Sequence, residues 1–111
     1  MVGACVKAFV ELGAKEVLVG ESPAIANSTS AAKSTGIYDI VVQNGGIWVD
    51  FNGNLNVPCP EGKLVKQFSF ATAFEKADMI VSLSKLKTHQ FMSYTGAMKN
   101  LFGLMVGLDK A

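Results

Sequence analysis

The sequence has few charged residues, and this shortage excludes one large class of binding proteins. Only 17% of the 111 residues are charged, and ten basic residues against nine acidic ones leave a formal net charge of +1. Proteins that bind nucleic acids or anionic membranes by bulk electrostatics concentrate positive charge. We therefore expect neither a nucleic acid nor a membrane as a partner.

Cysteines are also scarce, and their spacing argues against a metal centre. Cys5 and Cys59 lie far apart and form no Cys-x-x-Cys pair, so a zinc or iron–sulfur site built from the chain's own cysteines is not expected, although a single disulfide remains open. The sequence shows neither the basic start of a signal peptide nor an apolar run of about 18 residues. These features predict a cytoplasmic protein with reduced thiols.

Apolar residues, in contrast, are abundant. They make up 50% of the chain, more than in an average soluble domain. A chain of this length forms one domain at most, residues 1–111, and buries only about two-thirds of its unfolded surface. We therefore expect exposed apolar patches that ask for a partner surface and lead the isolated chain to self-associate as a homo-oligomer.

Hydrophobic periodicity predicts helices and strands that alternate along the first half of the chain. Residues 2–12 fit a helix that ends at Gly13, and residues 16–20 fit a buried strand. Residues 24–34 fit either a loop or a helix. Residues 37–51 fit either a β-hairpin or a helix followed by a strand, and we favour the second because the neighbouring segments alternate.

The second half continues the alternation after an irregular connector. The segments are a turn-rich connector at 52–62, a short strand at 64–70, a short helix at 71–77, a buried strand at 78–84, a lysine-rich loop at 85–89, and a helix from Ser93 onward. The apolar face of that helix, predicted to be core, consists of Ala97, Met98, Leu101, Phe102 and Met105. The pattern as a whole predicts a three-layer-like α/β fold, with a mostly parallel sheet flanked by helices.

Candidate functional residues follow the two predicted parallel strands. Ligands of open α/β sheets bind beyond the carboxyl ends of the strands, and lysines together with the N-terminus of a helix favour negative charge there. We expect a carboxylate or a phosphate as the ligand, a small anion. The candidate anion-binding residues are Lys85, Lys87, Thr88, Thr95, Gly96, Asn100, Glu21 and Ser22.

Two further residues are candidates for chemistry. His89 is the single histidine, and an imidazole, which ordinarily titrates near about pH 6.5, suits a general acid or base. Repulsion among clustered lysines favours the neutral amine, which allows Lys99 a nucleophilic or tethering role. These lysines are equally typical of a solvated rim, and a P-loop is excluded because the Gly-Lys-Ser/Thr order is absent.

Two sequence blocks resemble a known family. ADMIVSLSKLKTH at 77–89 and TGAMKNLFG at 95–103 look like the signature of the family catalogued as domain of unknown function 362, and LGA at 12–14 with VGESP at 19–23 is similar to its first block, which usually has Asp in place of Glu21. Members are typically longer, so the resemblance implies that this chain is a fragment of a larger α/β domain. Some members are fused to ferredoxin-type iron–sulfur modules. The resemblance implies that a ferredoxin-like module is a partner and that any cluster lies in another segment or subunit.

Residues 77–107 are also similar to a segment of nickel-pincer lactate racemase. In that enzyme a histidine acts as a base, and a lysine ten residues further on tethers the cofactor. His89 and Lys99 have the same separation, whereas Met98 and Asn100 depart from the racemase pattern. The resemblance indicates where a site would lie. The sequence as a whole leaves two functions open: an enzyme acting on an anionic substrate or cofactor, or a non-catalytic docking module of an iron–sulfur redox protein.

Overall fold

The N-terminal half of the chain alternates helices and strands. The computed structural model describes residues 1–22, 27–90 and 93–106, and its first compact unit is Met1–Asp50. The elements of this unit are α1 (Val2–Glu11), β1 (Leu18–Glu21), α2 (Ser28–Ser34), α3 (Ile37–Gln43) and β2 (Ile47–Asp50). Of the segment predicted as a loop or a helix, residues 28–34 are helical, and residues 24–26 lie outside the described part.

Glycines end both α1 and α3 in the same way. Gly13 and Gly45 have φ of 88° and 86°, a left-handed conformation that glycine adopts without steric cost. After α3, the amide of Gly45 donates to the carbonyl of Val42 at 3.1 Å and that of Gly46 donates to Val41 at 2.9 Å, which is the Schellman pattern of a helix end. The prediction of a helix followed by a strand at 37–51 is therefore confirmed.

The core of the first unit lies where α1, α2 and α3 meet. Its buried apolar side chains are Val6, Ala32 and Val41. A Cβ at Gly46 would come within 2.9 Å of side-chain atoms of both Val6 and Val41, so this glycine lets the chain pass close to the core as it leaves α3. Immediately after Gly46, β2 pairs with β1 in parallel.

The second unit, Phe51–Ala111, consists mainly of antiparallel strand pairs. β3 (Leu55–Pro58) pairs with β4 (Gln67–Phe70), and β5 (Lys87–His89) pairs with β6 (Ser93–Thr95). A short helix, α4 (Ala97–Leu101), continues into a 3-10 turn at Phe102–Leu104. Ala71 is fully buried after β4, where its amide donates to the carbonyl of Leu104 at 3.0 Å.

The predicted buried strand at 78–84 is wrong. These residues form no strand and pair with no other strand in the described part of the chain. Met79, Ile80 and Val81 are exposed. A continuous apolar run becomes a buried strand only when neighbouring strands supply hydrogen bonds and both faces are covered, and the described residues provide neither here.

Four other predictions for the second unit need correction. The lysine-rich loop at 85–89 contains a strand, as does the connector at 52–62, and only Thr72–Phe74 of the helix predicted at 71–77 is helical, as a 3-10 turn. The helix predicted from Ser93 begins at Ala97 instead, because residues 93–95 pair with β5. The strands among these segments depend on cross-strand partners, which the propensity of a single segment does not specify.

The apolar face predicted as core around α4 is also wrong, except at Met105. Met98 is 80% exposed, and Leu101 and Phe102 are exposed as well, whereas Lys99 on the predicted outer face is half-buried. The helix has five residues and then changes to a 3-10 turn. Because a 3-10 turn has three residues per turn, it does not continue a 3.6-residue apolar stripe.

The expected exposure of apolar side chains is observed. Large exposed apolar residues of the second unit include Leu64, Val65, Met79, Ile80, Val81, Leu83, Leu86, Met98, Leu101 and Phe102. Self-association of the chain stays a prediction.

The structure confirms a mixed α/β fold but not a mostly parallel sheet in three layers. Among the strands of the described residues, only β1 and β2 pair in parallel, and the other two pairs are antiparallel. None of the helices in this part of the chain is long and apolar enough to cross a membrane.

Two adjacent valines of α3 test the core of the first unit. Val41 is fully buried, whereas Val42 is 50% exposed. Replacing Val41 by Ala removes two buried methyl groups and leaves a cavity, so we expect the free energy of unfolding to fall by about 2 kcal/mol. Urea unfolding followed by the fluorescence of Trp48, the single tryptophan, measures the change. Val42→Ala is the matched control, and an equal loss in both variants would contradict this packing.

Candidate functional site

The carboxyl ends of the two parallel strands bring two acidic residues side by side. Glu21 at the end of β1 is in register with Asp50 at the end of β2. The Ser28 hydroxyl at the start of α2 donates to Oδ1 of Asp50, and the Thr29 hydroxyl donates to the same oxygen at 2.8 Å. Asp50 is thus tied to α2, at the sheet edge where ligands of α/β folds usually bind.

These hydrogen bonds set the ionisation of Asp50. Donation from Ser28 and then from Thr29 lowers the pKa of Asp50 below its ordinary value of 3.8, because both hydroxyls stabilise the carboxylate over the carboxylic acid. Asp50 is therefore anionic at neutral pH, and its charge holds the first turn of α2 against the end of β2.

Asp50, Ser28 and Thr29 were not predicted as part of a site. The sequence contained a pattern that could have identified Asp50, because this residue follows an apolar run just as Glu21 does. Recognising its place required knowing that the two strands are parallel neighbours. The hydroxyls carried no such signal, since they reach Asp50 across more than 20 residues of sequence.

In the second unit, the hairpin of β5 and β6 brings together the two sequence blocks at 77–89 and 95–103, which are here called the two halves of the lysine-rich motif. Lys87 pairs with Thr95, and the backbone of His89 pairs with that of Ser93. Directly paired residues of antiparallel strands project from the same face, so Lys87 and Thr95 are neighbours on one face of the hairpin. Thr88, paired with Tyr94, projects from the opposite face.

The lysines of this region are accessible and lack acidic partners in the described part of the second unit. Lys85 and Lys87 are exposed, and Lys99 is half-buried. In residues 1–22, 27–90 and 93–106 the salt bridge found within 4.0 Å joins Lys7 to Glu11 in α1. The charge of the three lysines is therefore available to an external anion.

The expected contribution of a helix N-terminus is not supported. α4 begins at Ala97, after Gly96, and has only five residues, too few to align the peptide dipoles of a long helix. Gly96 has an extended backbone, and a Cβ placed there would lie 3.6 Å from the nearest side-chain atom, Cδ1 of Leu86. Any anion bound here would depend mainly on the lysines.

Asn100 has a partner that the sequence did not suggest. Its side-chain amide donates to the hydroxyl of Ser82 at 3.0 Å. Ser82 lies in segment 78–86, which forms neither a helix nor a strand and leads into β5. The hydrogen bond thus connects α4 to the segment that carries Lys85.

The predicted site residues divide between the two units. Glu21 and Ser22 belong to the first unit, and the lysines, the threonines, His89, Gly96 and Asn100 belong to the second. That Glu21 and Ser22 face the lysine-rich hairpin stays a prediction. No group of three His, Cys, Asp or Glu side chains in the described residues could hold a metal ion.

Comparison with known proteins identifies the family. A family model described as Domain of unknown function (DUF362) matches residues 1–111, and the chain belongs to this family. No curated protein and no solved structure matches the sequence significantly, so these comparisons do not show the likeness to lactate racemase.

The hydrogen bonds at Asp50 predict a specific dependence of stability on pH. Since the pKa of Asp50 is lower in the folded state than in the unfolded chain, its ionised form stabilises the fold above about pH 4, and this contribution is lost as the pH falls through the folded pKa. Ser28→Ala removes the largest cause of the lowered pKa. We expect this variant to be less stable at pH 7 and to lose less stability than wild type between about pH 5 and pH 3.

Urea unfolding at a series of pH values measures the effect. Ser30→Ala is the matched control, because Ser30 lies in the same helix and its backbone amide, which donates to Oδ1 of the N-cap residue Asn27, is kept in the variant. A Ser28→Ala variant that keeps the full acid dependence of wild type would contradict the role of this hydrogen bond.

Proposed function

We propose that residues 85–100 bind a small anion, a carboxylate or a phosphate, and that the chain is part of an enzyme acting on a substrate or cofactor that bears this group. The observation that carries the proposal is the register of the hairpin, in which Lys87 of the first motif half lies opposite Thr95 of the second. Without that pairing, the two motif halves would be separate features of the sequence.

Charge supports the choice of an anion. Lys85 lies two residues before Lys87, the first residue of β5, and Lys99 lies in α4. An ammonium group is a compact charge with three donors, and such groups bind carboxylates and phosphates through charge-assisted hydrogen bonds. Thr95, on the face of Lys87, supplies a hydroxyl that can add a neutral hydrogen bond.

The proposed chemistry divides between His89 and Lys99. His89 follows Lys87 by two residues on the same strand, and an imidazole is the group suited to moving a proton at neutral pH. Lys99 would contact the anion or form a tether to a carbonyl group. Glu21 and Ser22, which belong to the first unit, stay proposed anion-binding residues.

We also propose that the parallel pair β1–β2 is part of a larger, mostly parallel sheet with helices on both sides. The support is local: β2 follows a Schellman helix end directly, and α3 packs against both α1 and α2 around the buried side chains Val6, Ala32 and Val41. The many exposed apolar residues of the second unit are consistent with cover by elements of such a domain.

Titration with inorganic phosphate and with acetate tests the anion site. We expect saturable shifts of the backbone amide resonances of residues 85–100 in NMR spectra of the full chain. Lys87→Ala should weaken binding about tenfold, since a hydrogen bond to a charged group is worth roughly 1.5 kcal/mol or more, with little change in unfolding temperature because the side chain is exposed.

Lys63→Ala is the control for loss of one exposed lysine in the same unit. The proposal fails if wild type shows no saturable binding of either anion, or if Lys63→Ala weakens binding as much as Lys87→Ala does. Substituting His89 by Ala separates binding from chemistry, because it should abolish turnover of a substrate while the lysines still hold the anion.

A second candidate function is a docking module of an iron–sulfur redox protein. It is favoured by the exposed apolar side chains around 79–86 and 98–102, which suit contact with another module. The chain's own residues do not fit a cluster: it has two cysteines, one in each unit, whereas a cluster usually needs four thiolates. Its ligands would come from a ferredoxin-like partner module.

Visible absorption and metal analysis distinguish the two functions. The protein is purified from cells together with whatever it binds. If the docking function is correct, iron and the broad visible absorption of a cluster co-purify with a ferredoxin-like protein, and they are lost when Leu86→Asp puts a charge into the exposed apolar surface. Thr88→Asp, which adds the same charge at an exposed position two residues further on, is the control. A colourless protein that nevertheless binds phosphate would favour the anion-site enzyme.

A further inference from the structure

Segment 78–86, which forms neither a helix nor a strand, carries part of the proposed anion site. It pairs with no strand in the described part of the chain, and most of its apolar side chains are exposed. Lys85 lies near its end. Something other than sheet pairing must therefore fix the position of Lys85 relative to Lys99.

A hydrogen bond between Ser82 and Asn100 links these two parts. The Asn100 side-chain amide donates to the Ser82 hydroxyl at 3.0 Å. Ser82 precedes Lys85 by three residues, and Asn100 directly follows Lys99. The backbone amide of Asn100 also donates to the carbonyl of Gly96 at 2.9 Å, so this residue is held both within α4 and against segment 78–86.

Two contacts therefore bring the first half of the lysine-rich motif next to the second half. The hairpin pairs Lys87 with Thr95, and the side-chain hydrogen bond joins Ser82 to Asn100. Residues 82 and 100 are thus neighbours. Lys85 and Lys87, which follow Ser82, and Lys99, which precedes Asn100, are therefore kept within one small region. With the side-chain link broken, the hairpin alone would set the separation of Lys85 and Lys99.

We infer that Ser82 and Asn100 are positioning residues of the anion site: their hydrogen bond holds the Lys85 segment against α4, and Asn100 acts through Ser82 instead of contacting the anion. The inference rests on the proposed function of residues 85–100. It changes the role expected for Asn100 and adds Ser82, which lies in the block at 77–89 but was not among the candidate site residues.

A ligand-free measurement tests the link itself. Ser82→Ala removes the acceptor, Ser82→Thr keeps a hydroxyl, and Ser84→Ala is the matched control in the same segment. In Ser82→Ala we expect the Asn100 side-chain amide resonances to move and the backbone amides of residues 97–101 to exchange faster with solvent. Ser82→Thr and Ser84→Ala should retain the wild-type values. An unchanged Asn100 side-chain amide in Ser82→Ala would overturn the inference.

A double-mutant cycle on phosphate affinity tests the positioning role. If Asn100 acts through Ser82, then Ser82→Ala, Asn100→Ala and the double variant all weaken phosphate binding to the same extent, about fivefold for the loss of one neutral hydrogen bond. Ser82→Thr should restore the affinity, which a merely structural loss of side-chain volume would not predict.

Two results would overturn the inference in different ways. If the effects of the single variants multiply in the double variant, Asn100 contacts the anion directly, and the proposed anion site itself survives. If wild type binds no phosphate while Ser82→Ala still loosens residues 97–101, the proposed function fails, and the Ser82–Asn100 bond is a structural link without a positioning role.

Discussion

The pairing of β5 with β6 is the constraint on which the candidate site depends. Antiparallel strands that are joined by a short connection fold back on each other, and their register decides which side chains share a face. Lys87 and Thr95 are neighbours for that reason, and Thr88 is excluded from their face for the same reason. A shift of the register by one residue would put Thr88 beside Thr95 and move Lys87 to the opposite face. The site therefore depends on the strand pairing more than on any single residue.

The two units show different relations between local sequence and structure. In the first unit, Gly13 and Gly45 end their helices through hydrogen bonds that span only a few residues, and the ends of α1 and α3 were predictable for this reason. In the second unit, each strand exists because another strand pairs with it, and the sequence of one strand does not specify that pairing. The run at 78–84 has the composition of a strand, but in the described residues it has no partner.

The polar residues of the candidate site likewise divide into those that the sequence identifies and those that only the tertiary structure brings together. The lysines and His89 could be selected from the sequence because charge and chemistry are properties of the residue type. The links from Ser28 to Asp50 and from Ser82 to Asn100 could not, since each connects residues about 20 positions apart. Serine and asparagine are also frequent on any protein surface, so their presence alone predicts no particular partner.

By itself, the sequence determined the family, the mixed α/β class, the ends of the first helices and the identity of the charged residues, because all of these depend on residue type and short spacing. Tertiary structure alone decided which strands pair, that Met98 and Leu101 are exposed, and that Asn100 reaches Ser82. The reason is physical: strand pairing and burial are determined by contacts between segments distant along the chain, and the energy of such contacts is not contained in the periodicity of either segment.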